Sequence, residues 1–334
     1  MAKYFRDLSY ICIILFIVLG WHIMDNIVSE KEVDITSLEV ALRSAGDNRG
    51  ELEKVLCYYK RKNTDSLKYK AACYLIENMP FHRYSVGEQL ENYKSYYAWL
   101  KKSKGKEPQQ VADSVKKVYG PMKEPNKIRD IMEIDSAYLC HNIDWAFKVW
   151  QEQPWGKNIS FDTFCEYLLP YRIDDEPLTY CRETYYEKYN SLLDSLRISD
   201  TLDKEDPVVV AKYLMARLPD KQTLYTSIVP FSFGHVGPEF VQYQVGSCRE
   251  LTDFEIYLFR ALGIPCAIDY LSARGDVNAG HFWVIVWDKD GEGYMSDFMT
   301  KLIRVRKCDL YRWGGSAKIY SRPLKSTHLR DIAR

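Results

Sequence analysis

A chain of 334 residues is long enough for one large core or for two domains. Its 46 lysines and arginines balance 46 aspartates and glutamates, so charge offers no attraction to nucleic acid or to an anionic membrane surface. Nine cysteines show neither paired spacing nor a Cys/His cluster of metal-ligand spacing, and there is no Gly-rich phosphate loop. A disulfide framework is thereby excluded, and no metal or cofactor is expected.

The first element in chain order is an address. Lys3 and Arg6 precede an apolar run from Tyr10 to Gly20, which has the length of a signal-peptide core and is short for a membrane span. Residues 1–25 are expected to be a signal peptide or an N-terminal membrane anchor, with a buried helix of the folded domain as the alternative. Export follows: to a cell envelope, periplasmic or membrane-anchored, or to the outside.

Residues 30–205 read as a mostly helical region. Leu67 to Met79, Gln89 to Leu100 and Ala137 to Gln151 carry helical patterns, with Pro80, Pro154, Pro170 and Pro177 marking breaks. The lysine-rich stretch Lys101 to Pro108 reads as a solvated surface loop. The aromatic-dense stretch Phe164 to Arg172 admits two readings: Glu166 and Arg172 line a substrate groove, or the segment packs between helix and core. The tryptophans of this half, Trp99, Trp145, Trp150 and Trp155, likewise suit either stacking on peptide or sugar, or a packed core.

From residue 206 onward the pattern changes. After a helix from Val208 to Leu218, the segment Glu239 to Val245 alternates like an extended lead-in, and it ends in Gly246-Ser247-Cys248-Arg249-Glu250-Leu251. Apolar residues at Leu251, Phe254, Leu258, Ala261 and Leu262 recur at helical spacing, so one face is expected to bury while Glu255, Tyr257 and Arg260 fall elsewhere. Gly263 stops the helix and Pro265 forbids its return. A thiol in the first turn of such a helix feels unpaired N–H groups and the positive end of the macrodipole, both of which favour thiolate. The glycine at 246 permits close approach of another backbone or of a substrate.

His281 opens the run His281 to Trp287, apolar on both faces and so expected to be central in a sheet. The sequence Asp288 to Gly293 is a hairpin turn by composition, and the return strand leads into Asp297. A loop of three residues, 289–291, or of five, 288–292, sets Asp297 opposite Trp283 and on the His281 face. A regular four-residue loop sets it on the wrong one.

The pattern from Gly246 to Asp297 resembles the transglutaminase-like superfamily: G-x-C opening a helix, A-L-G-I-P closing it, then G-H-x-W and an aspartate on the following hairpin. The resemblance implies an α+β fold with a papain-like core, in which the nucleophile-bearing helix packs on an antiparallel sheet. It would make residues 206–334 the catalytic domain of an envelope protein of bacterial type. Carried over position by position, Cys248 is the nucleophile, His281 the general base and Asp297 the residue that orients the imidazole, with Asp269 and Asp276 as alternative acids. The backbone N–H of Cys248 would be one oxyanion donor. Gln242, six residues ahead of the cysteine, is a candidate for another, and Trp283 for a substrate contact. The activity implied is hydrolysis of a peptide or protein amide through a thioester. Cross-linking acyl transfer, or an inactive binding or structural envelope protein, are the rival readings.

Overall fold

The computed structural model describes residues 36–61, 65–102, 108–120, 123–218, 224–225, 235–242, 244–272, 280–297, 302–305, 319–322 and 330–331. Residues 1–25, expected to be a signal peptide or anchor, lie outside them, as do Asp276 and Cys308. Among the described residues no helix is long and apolar enough to cross a membrane. The chain divides into two units, Met1–Val40 and Ala41–Arg334; all that follows concerns the second.

The helical stretch is built from α1 (Arg49–Lys60), α2 (Ser66–Asn78), α3 (Gln89–Lys102), α4 (Pro108–Tyr119), α5 (Ser136–Glu152), α6 (Cys181–Tyr189) and α7 (Pro207–Arg217). Their starts have local causes. The Asp135 carboxylate accepts the Tyr138 N–H at 2.7 Å ahead of α5. Asp206 accepts the Val208 N–H at 2.8 Å ahead of α7, whose first residue is Pro207, where a missing N–H costs nothing. Strands β1 (Arg83–Val86) and β2 (Asn126–Arg129) pair antiparallel as a separate ribbon.

Beyond α7, β3 (Leu224–Tyr225) pairs in parallel with β4 (Val245–Gly246), and the short helix α8 (Pro238–Val241) lies between them in sequence. Helix α9 (Cys248–Ala261) follows, and then β5 (Cys266–Leu271), β6 (His281–Trp287), β7 (Gly293–Asp297), β8 (Leu302–Val305), β9 (Ile319–Arg322) and β10 (Arg330–Asp331). These last six form one sheet in the order β10-β9-β5-β6-β7-β8, with every neighbouring pair antiparallel. β6 is interior, as its apolar run implies.

One hydrophobic core draws on both stretches: Tyr96 and Tyr97 of α3, Trp155, Tyr185 and Tyr189 of α6, Phe254 and Phe259 of α9, and Val284 and Val286 of β6. Each such side chain, fully buried, contributes roughly 1.5–3 kcal/mol. Helix α9 runs through the middle of this core, and here the one-sided expectation fails. Every residue from Glu250 to Ala261 is buried. The reason is that α9 has neighbours on two sides: the rings of Tyr185 and Tyr189 approach Phe254 at 5.9 Å each, while the Ile256 carbonyl accepts the Cys266 thiol of β5. Its charged residues are therefore inside and must find partners there.

The segment Phe164 to Arg172 takes the packing reading for its arginine. The Arg172 side chain has no exposed area and grips Asp130 through two nitrogens at 2.6 and 2.8 Å. Arg182 and Arg260 then bind carbonyls of this segment: Arg182 those of Leu169 and Pro170, Arg260 that of Arg172 at 2.8 Å.

Candidate active site

Cys248 is the first residue of α9, half-buried and a free thiol. The turn that presents it is a capping box. The Arg249 N–H donates to Ser247 Oγ at 3.3 Å, and the Ser247 N–H donates to Glu250 Oε2 at 2.9 Å. Glu250 is itself buried, and its other oxygen accepts the Tyr97 hydroxyl at 3.1 Å, so a residue of the helical stretch pins the cap. The Cys248 N–H belongs to the first-turn set that helix geometry leaves without an intrahelical acceptor.

The need for glycine at 246 has a source other than the expected one. Its φ is +149°, and a Cβ there would stand 2.6 Å from the Glu250 Cβ. What comes close within the protein is the capping glutamate of the same turn and not a second backbone. At the other end, Gly263 (φ +82°) ends α9 as its sequence predicts, and the Trp155 indole caps the Leu262 carbonyl at 3.0 Å.

His281 is the first residue of β6 and is 8% exposed. The preceding Gly280 is required by proximity, since a Cβ there would lie 2.8 Å from the Leu271 carbonyl oxygen. The helix and the strand meet beside both residues: the Arg249 guanidinium lies over the Phe282 ring, 5.2 Å from its centroid. Cys248 and His281 are each one residue away from that contact, which lies on the Phe282 face of the strand; alternation turns His281 to the other face.

Strand alternation sorts β6 into two faces. Val284 and Val286 turn toward α9, as does Ser296 of β7, whose hydroxyl donates to Glu255 Oε1 at 2.9 Å. His281, Trp283 and Ile285 occupy the other face. The hairpin loop spans 288–292, closed by an Asp288 N–H to Glu292 carbonyl bond of 2.9 Å. Val284 pairs with Ser296, and one further step of that register sets Asp297 opposite Trp283. The backbone of Asp297 is thus on the His281 face, the parity expected of a five-residue loop; its side chain lies outside what is described. Trp283 is 1% exposed, with its ring centroid 5.9 Å from that of His281, so it packs against the imidazole as a wall.

Gln242 follows α8 directly, half-exposed, and its amide donates to the Glu239 carbonyl at 2.7 Å. It lines a surface cleft together with Lys94, Thr184, Pro238 and Glu239. Within the same lead-in the fully buried glutamine is Gln244, held at φ +54° with its N–H bonded to the Val241 carbonyl at 2.8 Å. A non-glycine residue in that region costs of order 1–3 kcal/mol, which the surrounding burial must offset.

His235 stands in a stretch, Gly234-His235-Val236-Gly237, that carries no recognisable site motif. The structure buries it between two acids, with Nδ1 2.7 Å from Asp253 Oδ2 and Nε2 3.5 Å from Asp174 Oδ2. Burial alone would depress its pKa, but the Asp253 charge and the hydrogen bond to Asp174 override this and push it up to about 10. Asp253, raised to about 6 by burial against the opposing pull of His235, stays ionised at neutral pH, so the two form an ion pair. No local pattern could have revealed this, because Asp253 lies inside a run that otherwise reads as helix interior.

Residues 199–296 match the family model described as the transglutaminase-like superfamily. The match contains Cys248 and His281 and ends one residue before Asp297. No curated protein and no solved structure matches the chain.

Proposed function

From a transglutaminase-like segment at 199–296, in a superfamily that includes cysteine hydrolases and acyltransferases, we propose that this chain is a cysteine-dependent hydrolase of a peptide or protein amide. The observation that carries the reading is the Arg249–Phe282 contact, which brings the start of the thiol-bearing helix to the start of the histidine-bearing strand. In a papain-like sequence of events, the Cys248 thiolate adds to the amide carbonyl and the oxyanion forms beside the Cys248 N–H, a donor already oriented by the cap. Gln242 is the side-chain candidate for a second donor, since its amide retains a hydrogen beyond the one given to Glu239. His281 hands its proton to the leaving amine as the C–N bond breaks, leaving a thioester. Water then adds, with its proton going to His281, and the carboxylic acid leaves as the thiolate returns. Asp297 orients the imidazole. The apolar run from Tyr10 to Gly20 behind Lys3 and Arg6, read as a signal peptide or anchor, supports placing this chemistry in the cell envelope or outside the cell.

The test is a thiol-reactive acyl probe on the full chain, with Cys248→Ala as control, followed by a peptide library with and without excess primary amine. Labelling confined to Cys248 and net cleavage are expected. Absence of labelling at Cys248 would sink the enzyme reading. Amine incorporation with little cleavage would replace hydrolysis by acyl transfer and keep the residues in their roles.

A further inference from the structure

We infer that the cavity between α5, α6 and α9 is a binding site for a monatomic anion of chloride size; the inference stands apart from the thiol chemistry above. The cavity holds about 20 Å³ and is lined by Tyr138 and His141 of α5, Thr179 and Arg182 at the start of α6, and Tyr257 and Arg260 of α9. That volume admits one or two water-sized occupants and no organic ligand. Size leaves water or a single ion, and charge decides between them.

Three arginines are buried in this part of the core. Arg172 is answered by Asp130, with Glu176 at 3.8 Å. Arg182 and Arg260 have only neutral acceptors among the described residues. Arg182 donates to the Asn142 side-chain oxygen at 2.7 Å and to the carbonyls of Leu169, Pro170 and Arg260. Arg260 donates to those of Pro170, Arg172 and Cys266. Two guanidiniums thus converge on the Pro170 carbonyl without a carboxylate. Burial, and after it the charge of Arg260, pulls the Arg182 pKa down to about 10, so it remains a cation at neutral pH. The Cys181 thiol does not answer it, since burial pushes that group up to about 11. The acids nearby are bonded elsewhere: Glu183 to His141 at 3.0 Å, Glu176 to the N–H groups of Ile173 and Asp174, and Asp253 to His235. The negative end of α9, at the Arg260 carbonyl, is offset by the positive end of α6, which starts at Cys181 with no side-chain cap.

The cavity also offers donors. Tyr257 is 5% exposed, and its hydroxyl is sealed from solvent without a partner among the described residues. Burial holds its pKa well above the usual tyrosine range, so the proton stays in place to be donated. The first-turn N–H groups of α6, which helix geometry leaves without an intrahelical acceptor, add to it. Water would satisfy the hydroxyl and leave the two charges unanswered; an anion does both.

The experiment is the thermal midpoint of the full chain as sodium chloride replaces sodium gluconate at constant ionic strength, for wild type and Tyr257→Phe. Gluconate is too large for the cavity and reports screening alone. Chloride at about ten times its Kd should raise the wild-type midpoint by about 2–4 °C, and the rise should saturate. In Tyr257→Phe, one hydrogen bond poorer, the same rise should need about five-fold more chloride. Bromide in place of chloride in crystals should give an anomalous peak bounded by Tyr257 and Arg182. Superimposed chloride and gluconate curves would overturn the inference and leave the cavity to water. A chloride-dependent rise unchanged in Tyr257→Phe would put the anion elsewhere and overturn it as well. Should Tyr257→Phe not fold, the bromide peak decides, and its absence from the cavity counts against the site.

Discussion

Two histidines lie within the transglutaminase-like segment, and the fold sets them in different surroundings. His235 has a carboxylate at each ring nitrogen and a backbone N–H given to Asp175 at 3.0 Å. A ring held at both ends by acids cannot carry a proton from one reacting group to another; it is a charged clamp between α9 and the segment at Asp174–Asp175. His281 sits instead at the start of a strand whose next residue, Phe282, meets the turn that presents a half-buried thiol, with acids placed only diagonally. Burial and a nearby carboxylate are common to both. The proposed base role of His281 requires one nitrogen for the chemistry, whereas a clamp commits both to acids, and which elements meet at each ring decides between the two.

The sharpest way to break the comparison is to remove each ring in turn. His281→Ala should lower turnover, and the alkylation rate of Cys248 near neutral pH, by roughly 10²–10⁴, the usual contribution of a positioned acid–base group, with little change in unfolding midpoint. A midpoint loss as large as that of a core residue, with activity per folded molecule retained, would reverse the roles. His235→Gln should do the converse. It strands the buried Asp253 charge and should cost about 3–5 kcal/mol in denaturant unfolding, with kcat per folded molecule within a few-fold of wild type.

pH sharpens the clamp reading further. The folded pKa of His235, about 10, stands above its unfolded value, so its contribution is fully present below about 6.5 and is lost as pH rises through about 10. The gap in thermal midpoint between wild type and His235→Gln should accordingly be widest near pH 6.5 and narrow steadily toward pH 10. A constant gap would mean that the ring stabilises by shape and not by charge. The smallest expected effect is at the thiol's own turn: Gly246→Ala must relieve a 2.6 Å approach to Glu250 and should cost about 1–3 kcal/mol. It should slow Cys248 labelling while leaving the His235 pH dependence intact, since Asp253 is bonded to His235 and the cap is closed by Ser247 and Glu250. Loss of both together would show that cap and clamp form one unit.

The elements of the site were legible before the fold was known, and the reasons are local. Helix α9 begins at Cys248 and stops at Gly263 because capping and helix-breaking residues act over a few positions. The hairpin set its own register, since a five-residue loop admits one parity. Less legible were the surroundings. Glu255, Tyr257 and Arg260 were expected off the buried face, yet all three are buried, and the acids of this helix, Glu250, Asp253 and Glu255, are answered by Tyr97, His235 and Ser296 at separations of 153, 18 and 41 residues. Arg172, open to a groove reading, is sealed against Asp130, 42 residues away.

Taken alone, the sequence determined where the thiol, the imidazole and the strand-end acid fall on their elements, because helix caps, glycine stops and strand alternation are written in neighbouring residues. Only the tertiary structure decided that α9 is enclosed on two sides, that Gly246 serves its own cap, that His235 is a clamp, and that Asp269 shares a row with Asp297 through Trp283. Those outcomes depend on which distant segments converge. A buried charge is tolerable only where such a segment supplies the partner, and no window of adjacent residues contains it.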